Sequence, residues 1–540
     1  MQYIYPIKIV YTAGTVENEA ALLAKKPLQI GLMEENLFHI KGKSSVILDF
    51  GKELSGGARI LAFHANGDKN VRLRFGESVS ETCAELGGRQ NATNDHSNRD
   101  FCVQLQSYSD MKFGQSGFRF LRVDTLSDTS DLYIKSIVAA VDTDQREEIG
   151  SFECDDALVN EIWNTAAYTI RLCLQNGYFW DGIKRDRLVW IGDLYPEMRA
   201  AHCLFGDVPE TVNSLDFAMN ETKLPQWMAG MPAYSLWWLI ILCDEYKVNG
   251  DKNAFVKYLP YIKPLLKQIS DVVGEDGRTS FPGNFIDWPS NCREGDPKEK
   301  FEENFAGMSY LTKIAMEKTS AFLQEYGEDN SLCEDILRRL KNAEWTVQMF
   351  KQIAAIGVWA GDKSASNEET LMRGGAAGLS TFMSYPILTA VAAYGHYDEA
   401  LSMMKEYYGG MLSVGATTFW EDFDLNWMKN CGRIDEMPQE GKIDIHGDYG
   451  AFCYIGFRHS FCHGWSAGII PYLVETVAGV RWIGTGMRSM EISPRLSGLK
   501  HVKVKCPTPY GVAVVEHTLQ ADGSVKTDVS APSEISVTVK

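Results

Sequence analysis

The sequence predicts a multidomain, mainly α protein: an N-terminal antiparallel β-sandwich, a large helical barrel or bundle, and a small C-terminal β domain. Three observations predict it. At 540 residues the chain is too long for one compact core. The spacing of apolar residues changes from two to nearer four at about residue 151, and it returns to two at about 488. Boundaries drawn near these changes give domains over 1–148, 149–485 and 486–540.

In the first zone short alternating runs recur: Val71, Leu73 and Phe75, then Phe118 and Phe120, then Leu132 to Val141. Gly- and Asp-rich turns are expected between them, at 55–57 (SGG) and 66–68 (NGD). The polar stretch 87–100 (GGRQNATNDHSNRD) reads as a long exposed loop. In the second zone Asp155 or Asp156 can cap a helix whose inner face holds Leu158, Ile162, Ala166 and Ile170. Further helices are expected over 232–248, 253–273, 308–326, 334–350, 386–394 and 397–408, ending at glycines such as Gly250, Gly327, Gly395 and Gly409. In the last zone Val502 and Val504 alternate, Asp522-Gly523 makes a hairpin turn, and Ile535, Val537 and Val539 close the chain.

Composition excludes several classes of partner. A formal net charge of -18 and a pI near 5.1 argue against nucleic acid or an anionic membrane, because both need a basic surface. The longest apolar run, Ser235 to Cys243 (SLWWLIILC), is about half the roughly 20 residues of a membrane helix and reads as a buried helix. No basic leader or cleavage site opens the sequence, so a cytoplasmic location is expected, or a periplasmic or secreted one if an export signal has been removed. The twelve cysteines have no CxxC pair and no zinc spacing, which suits free thiols in a reducing compartment.

Four segments carry the chemistry. The densest, Tyr178 to Glu197 (YFWDGIKRDRLVWIGDLYPE), holds Asp181, Arg185, Asp186, Arg187, Trp190 and Asp193 at the end of a helix and in the loop beyond. Arg beside Asp ordinarily marks an ion-paired loop. The aromatic content points further, because sugar rings dock on Trp faces while carboxylates grip hydroxyls. In 415–424 (GATTFWEDFD), Glu421 follows Trp420 and opens an acidic, aromatic stretch that could line a cleft. In 460–468 (SFCHGWSAG), His463 and Trp465 are flanked by small residues; a lone His is more often a core residue, and nothing beside it has zinc-ligand spacing. Asp287 and Trp288 (FIDW) complete the set. With no G-x-S-x-G elbow, P-loop, dinucleotide fingerprint or EF-hand, paired carboxylates on an α scaffold are the best-supported chemistry.

At these four segments the sequence resembles the bacterial α-L-rhamnosidases of glycoside hydrolase family 78. That family's acidic loop reads D-x-P-x-R-E-R-L-G-W-x-G-D, and Asp181, Arg185, Arg187, Leu188, Trp190, Gly192 and Asp193 match it at the same spacing. GATTFWE resembles the family's G-A-T-T-x-W-E and puts Glu421 at the catalytic base. Asp287-Trp288 is similar to its G-D-W, and His463 to its sugar-contacting histidine. The chain departs in having Asp186 where the family has a Glu as general acid, and Gly182-Ile183 where it has Cys-Pro.

The resemblance implies an (α/α)6-barrel (six-hairpin) catalytic domain between the two β domains. It also implies exo-acting, inverting hydrolysis of a terminal α-L-rhamnoside in a rhamnose-containing glycoside or oligosaccharide. Asp186 would be the acid and Glu421 the base. Asp181, Arg185, Asp193, Asp287 and His463 would hold the sugar, with Trp190, Trp288 and Trp465 as walls. Asp193 and Glu197 are reserve acids, one and two turns on if that segment is helical. The chemistry calls for no metal and no organic cofactor. The alternatives are an exo-glycosidase for another sugar, or a non-catalytic sugar-binding relative. Linkage, aglycone and oligomeric state are not legible.

Overall fold

The computed structural model describes residues 2–291, 298–344, 349–450, 452 and 454–540. The N-terminal region is a seven-stranded sheet whose pairings are all antiparallel. Its spine is Phe38–Asn66, a 29-residue strand that pairs with both Ser109–Thr125 and Asp131–Val141. The alternation at Val71, Leu73 and Phe75 buries all three completely, as a strand with one face on a core requires. The SGG expected as a turn lies inside the long strand instead. A Cβ on Gly57 would come 2.2 Å from the Gly114 carbonyl oxygen, and one on Gly56 2.2 Å from that of Ala140. Glycine here allows close strand approach at a register shift.

The helical region opens at Ala157–Cys173, and Asp156 is the cap, accepting from the amides of Leu158 and Val159. Val159, Ile162, Ala166 and Ile170 are buried, while Leu158 is half-buried. Pro232–Asn249, which contains SLWWLIILC, is buried from Pro232 to Tyr246 and so has no solvent face over that span. Lys298–Tyr326 starts ten residues earlier than the expected 308. The expected 253–273 helix is broken into Lys252–Phe255 and Leu259–Asp271. The expected 334–350 helix is Ser331–Leu340, and 345–348 lie outside the described residues. Gly250, Gly327 and Gly395 follow helices with positive φ, but Gly409 lies within Tyr397–Ser413, packed on Leu158.

Among the described residues, four helices of eight residues or more escape the sequence reading: Leu194–Phe205, Pro209–Glu221, Lys351–Trp359 and Ala365–Met372. The first and third are buried along nearly their whole length, so they lack the polar stripe that reveals a helical period. Lys351 is itself buried, its ammonium held by the carbonyls of Leu371 and Gly375.

The chain ends in two small sheets. One joins Val480–Ile483, Ser489–Ile492 and Ser536–Val539; the other joins Gly511–Leu519 to Val525–Ser530 and to His501–Thr508. Gly523 turns the expected hairpin at φ 85°. The fourth strand of the second sheet is Ser151–Cys154, which pairs with His501–Thr508 and so ties the entry of the helical region to the end of the chain. Among the described residues no helix is long and apolar enough to cross a membrane, and ten cysteines are free thiols.

Candidate active site

The acidic segment 181–193 is a loop, not a helix end. It runs from a small hairpin (Leu174–Gln175 with Tyr178–Phe179) to the helix Leu194–Phe205. Two bonds close it on itself: Asp181 N donates to the Leu188 carbonyl at 3.1 Å, and Leu188 N donates to Asp181 Oδ1 at 2.9 Å. At its tip Asp186 and Arg187 take left-handed backbone, with φ of 54° and 58°. Asp tolerates this conformation and Arg does so at a cost, a pattern that concentrates at functional sites. A buried lysine offsets that cost. Lys184 donates to the carbonyls of Phe457 (3.0 Å) and His459 (2.6 Å) and pairs with Glu77 (2.9 Å) and Glu81 (3.3 Å) of the N-terminal region.

Glu421 comes from a second loop, after Tyr397–Ser413, and His463 and Trp465 from a third. The two loops are bonded together: Glu421 N donates to the Ser460 carbonyl at 2.9 Å, and Ser460 N donates back to Glu421 Oε2 at 3.2 Å. Trp465 Nε1 donates to the Glu421 carbonyl at 2.9 Å. The third loop meets the first where Gly464 N donates to the Asp181 carbonyl at 2.8 Å. A Cβ on Gly464 would stand 2.0 Å from Glu197 Oε1, so any larger residue there must displace the buried Glu197 carboxyl.

The side chains converge on Arg185 and His463. Arg185 gives Nη1 to Asp186 Oδ1 at 2.9 Å and Nη2 to Glu421 Oε1. His463 Nε2 lies 3.7 Å from Asp181, 4.0 Å from Asp193 and 4.0 Å from Glu421. Asp186 also accepts from Trp190 Nε1 at 3.1 Å, and Asp193 from the Tyr234 hydroxyl at 2.7 Å. Asp186 is the outermost carboxylate, its side chain 16% exposed against 2–4% for Asp181, Asp193 and Glu421.

Burial sets the protonation of the deeper groups. It pushes the carboxyls of Asp181 and Asp193 well up, and neighbouring acids add to this: Asp186 and Asp193 for the former, Glu421 and Asp186 for the latter. Burial also raises Glu421, but the Arg185 guanidinium opposes it. His463 is held far below its usual range by burial and then by Arg185, so its imidazole is neutral.

The other expected residues lie around this cluster. Trp190 is half-buried, its ring edge-on to Tyr234 at 6.0 Å. Trp288 is half-buried among Phe285, Phe452 and Tyr454, and Arg185 stands 6.0 Å over the Tyr454 ring. Asp287 is buried and held by the Ser380 hydroxyl and the Trp288 amide; burial raises its carboxyl to about 7. Trp465 is only 4% exposed and stacks on Phe382 at 5.1 Å, so it underlies the site instead of walling it. Of the reserve acids, Asp193 stands at the N-cap position of Leu194–Phe205, and Glu197 is buried in that helix's first turn, where burial raises it strongly. Neither is helically spaced from Asp186.

Two contributors are absent from the sequence reading. Tyr234 begins the all-buried helix, where nothing marks it. His96 belongs to the loop 87–100, which is not simply exposed: Ala92, Ser97, Arg99 and Asp100 are buried. The loop reaches across from the N-terminal sheet and sets His96 Nε2 3.3 Å from Asp186 Oδ1 and 3.2 Å from Asp95, itself paired with Arg458 at 2.7 Å. The density of Asn, Asp and His in that loop was the available signal. Among the described residues Glu77, Glu81 and His446 approach one another as metal ligands would. The Lys184 ammonium fills the cationic role among them, 3.4 Å from His446 Nε2.

Asp181, Asp193 and Glu421 are thus buried together on loops that adjoin helices. Residues 147–343 match the family model of the bacterial alpha-L-rhamnosidase 6 hairpin glycosidase domain, and 479–540 that of the bacterial alpha-L-rhamnosidase C-terminal domain. Two regions of the chain thus carry the hairpin and C-terminal domains of the bacterial α-L-rhamnosidases.

Solved structures share its fold. The family GH78 rhamnosidase of Bacillus sp. GL1 superposes with a TM-score of 0.74 at 19% identity, over 96% of this chain and 55% of that one. The α-L-rhamnosidase of Dictyoglumus thermophilum gives 0.70 at 16%, over 100% and 58%. The Klebsiella oxytoca rhamnosidase, solved with rhamnose bound, gives 0.67 at 19%, over 87% and 95%. In sequence, 85 residues are 34% identical to the alpha-L-rhamnosidase of Formosa agariphila, covering 16% of this chain and 8% of that protein. The chain thus spans little more than half of the first two structures and a small part of the Formosa protein.

Proposed function

We propose that this chain is an exo-acting glycoside hydrolase that cleaves terminal α-L-rhamnosides with inversion. The observation that carries the reading is the convergence of Asp186 and Glu421, from loops 235 positions apart, on the two ends of one Arg185 guanidinium. Arg185 brings both carboxylates to one site, and an inverting pair there needs room for the attacking water, roughly 6.5–9.5 Å between carboxyls. Asp186, the outermost, protonates the leaving oxygen. Glu421, deeper and relieved by Arg185, takes the proton from water on the opposite face of the sugar.

Asp181, Asp193 and neutral His463 line the deep end, where they bond the terminal sugar's hydroxyls; Trp190 and Trp288 flank the mouth. In this reading the helical region is an (α/α)6 barrel and the N-terminal sheet folds over as a sandwich. Domain boundaries at 148 and 485 follow the changes of apolar period near 151 and 488. The family resemblance and the name of the matched domain support the substrate class, and no step needs a metal or organic cofactor.

A screen of aryl α-L- and β-D-glycosides tests the activity, and proton NMR of the first sugar released tests the stereochemistry. Phenol release from the α-L-rhamnoside, with the opposite anomer appearing first, is the expected result. Preferred turnover of another glycoside would replace the sugar, early release of the retained anomer would make Glu421 a nucleophile, and no turnover of any would leave a sugar-binding protein.

A further inference from the structure

At the seam between the helical region and the C-terminal β domain, two cavities of about 370 and 380 Å³ adjoin, sharing Glu475 and Arg481. Each falls within the ~300–1,000 Å³ of small-molecule sites, which favour domain seams. Their charge is anomalous for a chain of net -18. The lining cations are Arg199, Lys247, Lys318, Lys363 and Arg481; the carboxylates are only Asp244 and Glu475. Those two are already engaged, Asp244 by Lys318 and Arg199 (3.5 Å), Glu475 by Arg199 and by the Tyr385 hydroxyl (2.6 Å). Lys247, Lys363 and Arg481 are exposed at the rims and have no ion-pair partner among the described residues. Each cavity also offers a half-buried indole, Trp482 in one and Trp359 in the other.

The shared Glu475 sits in a π-helical turn, Leu473–Val477. Such turns are rare and are often found at functional sites, because they re-aim a side chain out of the α-helical rows. Here the turn sets Glu475 as the partition between the two cavities. Aromatic faces with flanking polar groups suit sugar rings, two joined cavities suit successive rings, and the unmatched cations suit acidic ones. We infer that this seam is a second carbohydrate site, which takes an acidic oligosaccharide with rings against Trp482 and Trp359 and its anionic groups on Lys247, Arg481 and Lys363. It is separate from the candidate active site but joined to it by one helix: Asp193 stands at the head of Leu194–Phe205 and Arg199 faces the cavity about 9 Å along the axis.

Calorimetric titration of the full chain tests this with three probes: trigalacturonate, a sulfated galactose trisaccharide and neutral maltotriose. Either acidic probe should bind, whichever anion the site prefers, and maltotriose should not. Arg481→Glu and Lys247→Glu, both at exposed positions, should each weaken binding at least tenfold, as should Trp482→Ala, while Asp186→Asn should leave it unchanged. Binding should also weaken as salt rises. Equal binding of maltotriose, no binding of either acidic probe, or affinity unmoved by both Glu substitutions would overturn the inference. Loss of binding in Asp186→Asn but not in Arg481→Glu would move the ligand to the candidate active site and do the same. None of these readouts depends on rhamnoside turnover, so failure of the proposed activity would not decide them.

Discussion

Arg185 holds Asp186 and Glu421 on the two terminal nitrogens of a single guanidinium. Lysine keeps the charge but cannot present that planar fork, so Arg185→Lys should lower kcat roughly 10²-fold through misplacement. Arg185→Met removes the charge as well. Burial already raises Glu421 and Arg185 is what opposes it, so a base that must be ionised will need a higher pH. The acid limb of the pH–rate profile should move up in the Met variant, and less in the Lys variant. An unmoved limb, or one moved down, would show that Arg185 does not govern the ionisation of the base.

Asp287 gives a stability test. Its carboxyl is raised to about 7 from an ordinary value of 3.8, first of all by burial. A raised carboxyl contributes stability that is fully present below about pH 3.8 and lost as pH climbs through 7. Asn keeps the shape and does not titrate. The Tm of Asp287→Asn minus that of the parent should therefore grow more positive from pH 4 to pH 8, reflecting up to a few kcal/mol. A difference that stays flat across that range would mean the folded protein does not favour the protonated acid.

Much of this site was legible because spacing along a loop survives folding. Asp181, Arg185, Asp186 and Asp193 converge as their motif implied, and Glu421 and His463 join them from two other loops. What the sequence could not give was the third dimension. The 181–193 segment reads as helix-flanking, yet left-handed residues at 186 and 187 and the Lys184 anchor shape a closed loop. Trp465 looks like a sugar platform but is buried against Phe382. Tyr234 is one apolar residue among many, and His96 arrives from another domain through contacts that no periodicity records. Leu194–Phe205 and Lys351–Trp359, buried along nearly their whole length, were missed because they carry no polar stripe to mark a helical period.

His96 is the test of that inter-domain contact. It stands 3.3 Å from Asp186 Oδ1, while Trp190 bonds Oδ2, and Asp95, itself paired with Arg458, lies 3.2 Å from its ring. His96→Ala should cut kcat/KM several-fold to tenfold, the scale of one hydrogen bond to a charged group. His96→Gln can restore that bond and should recover most of the loss. If Gln is as poor as Ala while both variants melt like the parent, the imidazole's proton chemistry matters and positioning alone does not account for it.

Asp186 stands where the family resemblance has a Glu, and the roles of the two carboxylates separate by leaving group. A general acid matters in proportion to how badly the departing oxygen needs a proton. Nitrophenolate leaves well without one, whereas a sugar alkoxide does not. Asp186→Asn should therefore cost roughly 10²–10⁴-fold on a rhamnose-containing disaccharide and much less on an aryl rhamnoside. Every substrate needs its water activated, so Glu421→Gln should damage both alike. Added azide sharpens the contrast: a small anionic nucleophile needs no base, and it should restore turnover in Glu421→Gln but not disaccharide cleavage in Asp186→Asn. The rescued product would be a β-L-glycosyl azide, inverted as the attack from Glu421's side demands. Should Asp186→Asn slow both substrates equally while Asp193→Asn or Glu197→Gln shows the leaving-group dependence, the proton donor lies deeper in the pocket and the role given to Asp186 is wrong.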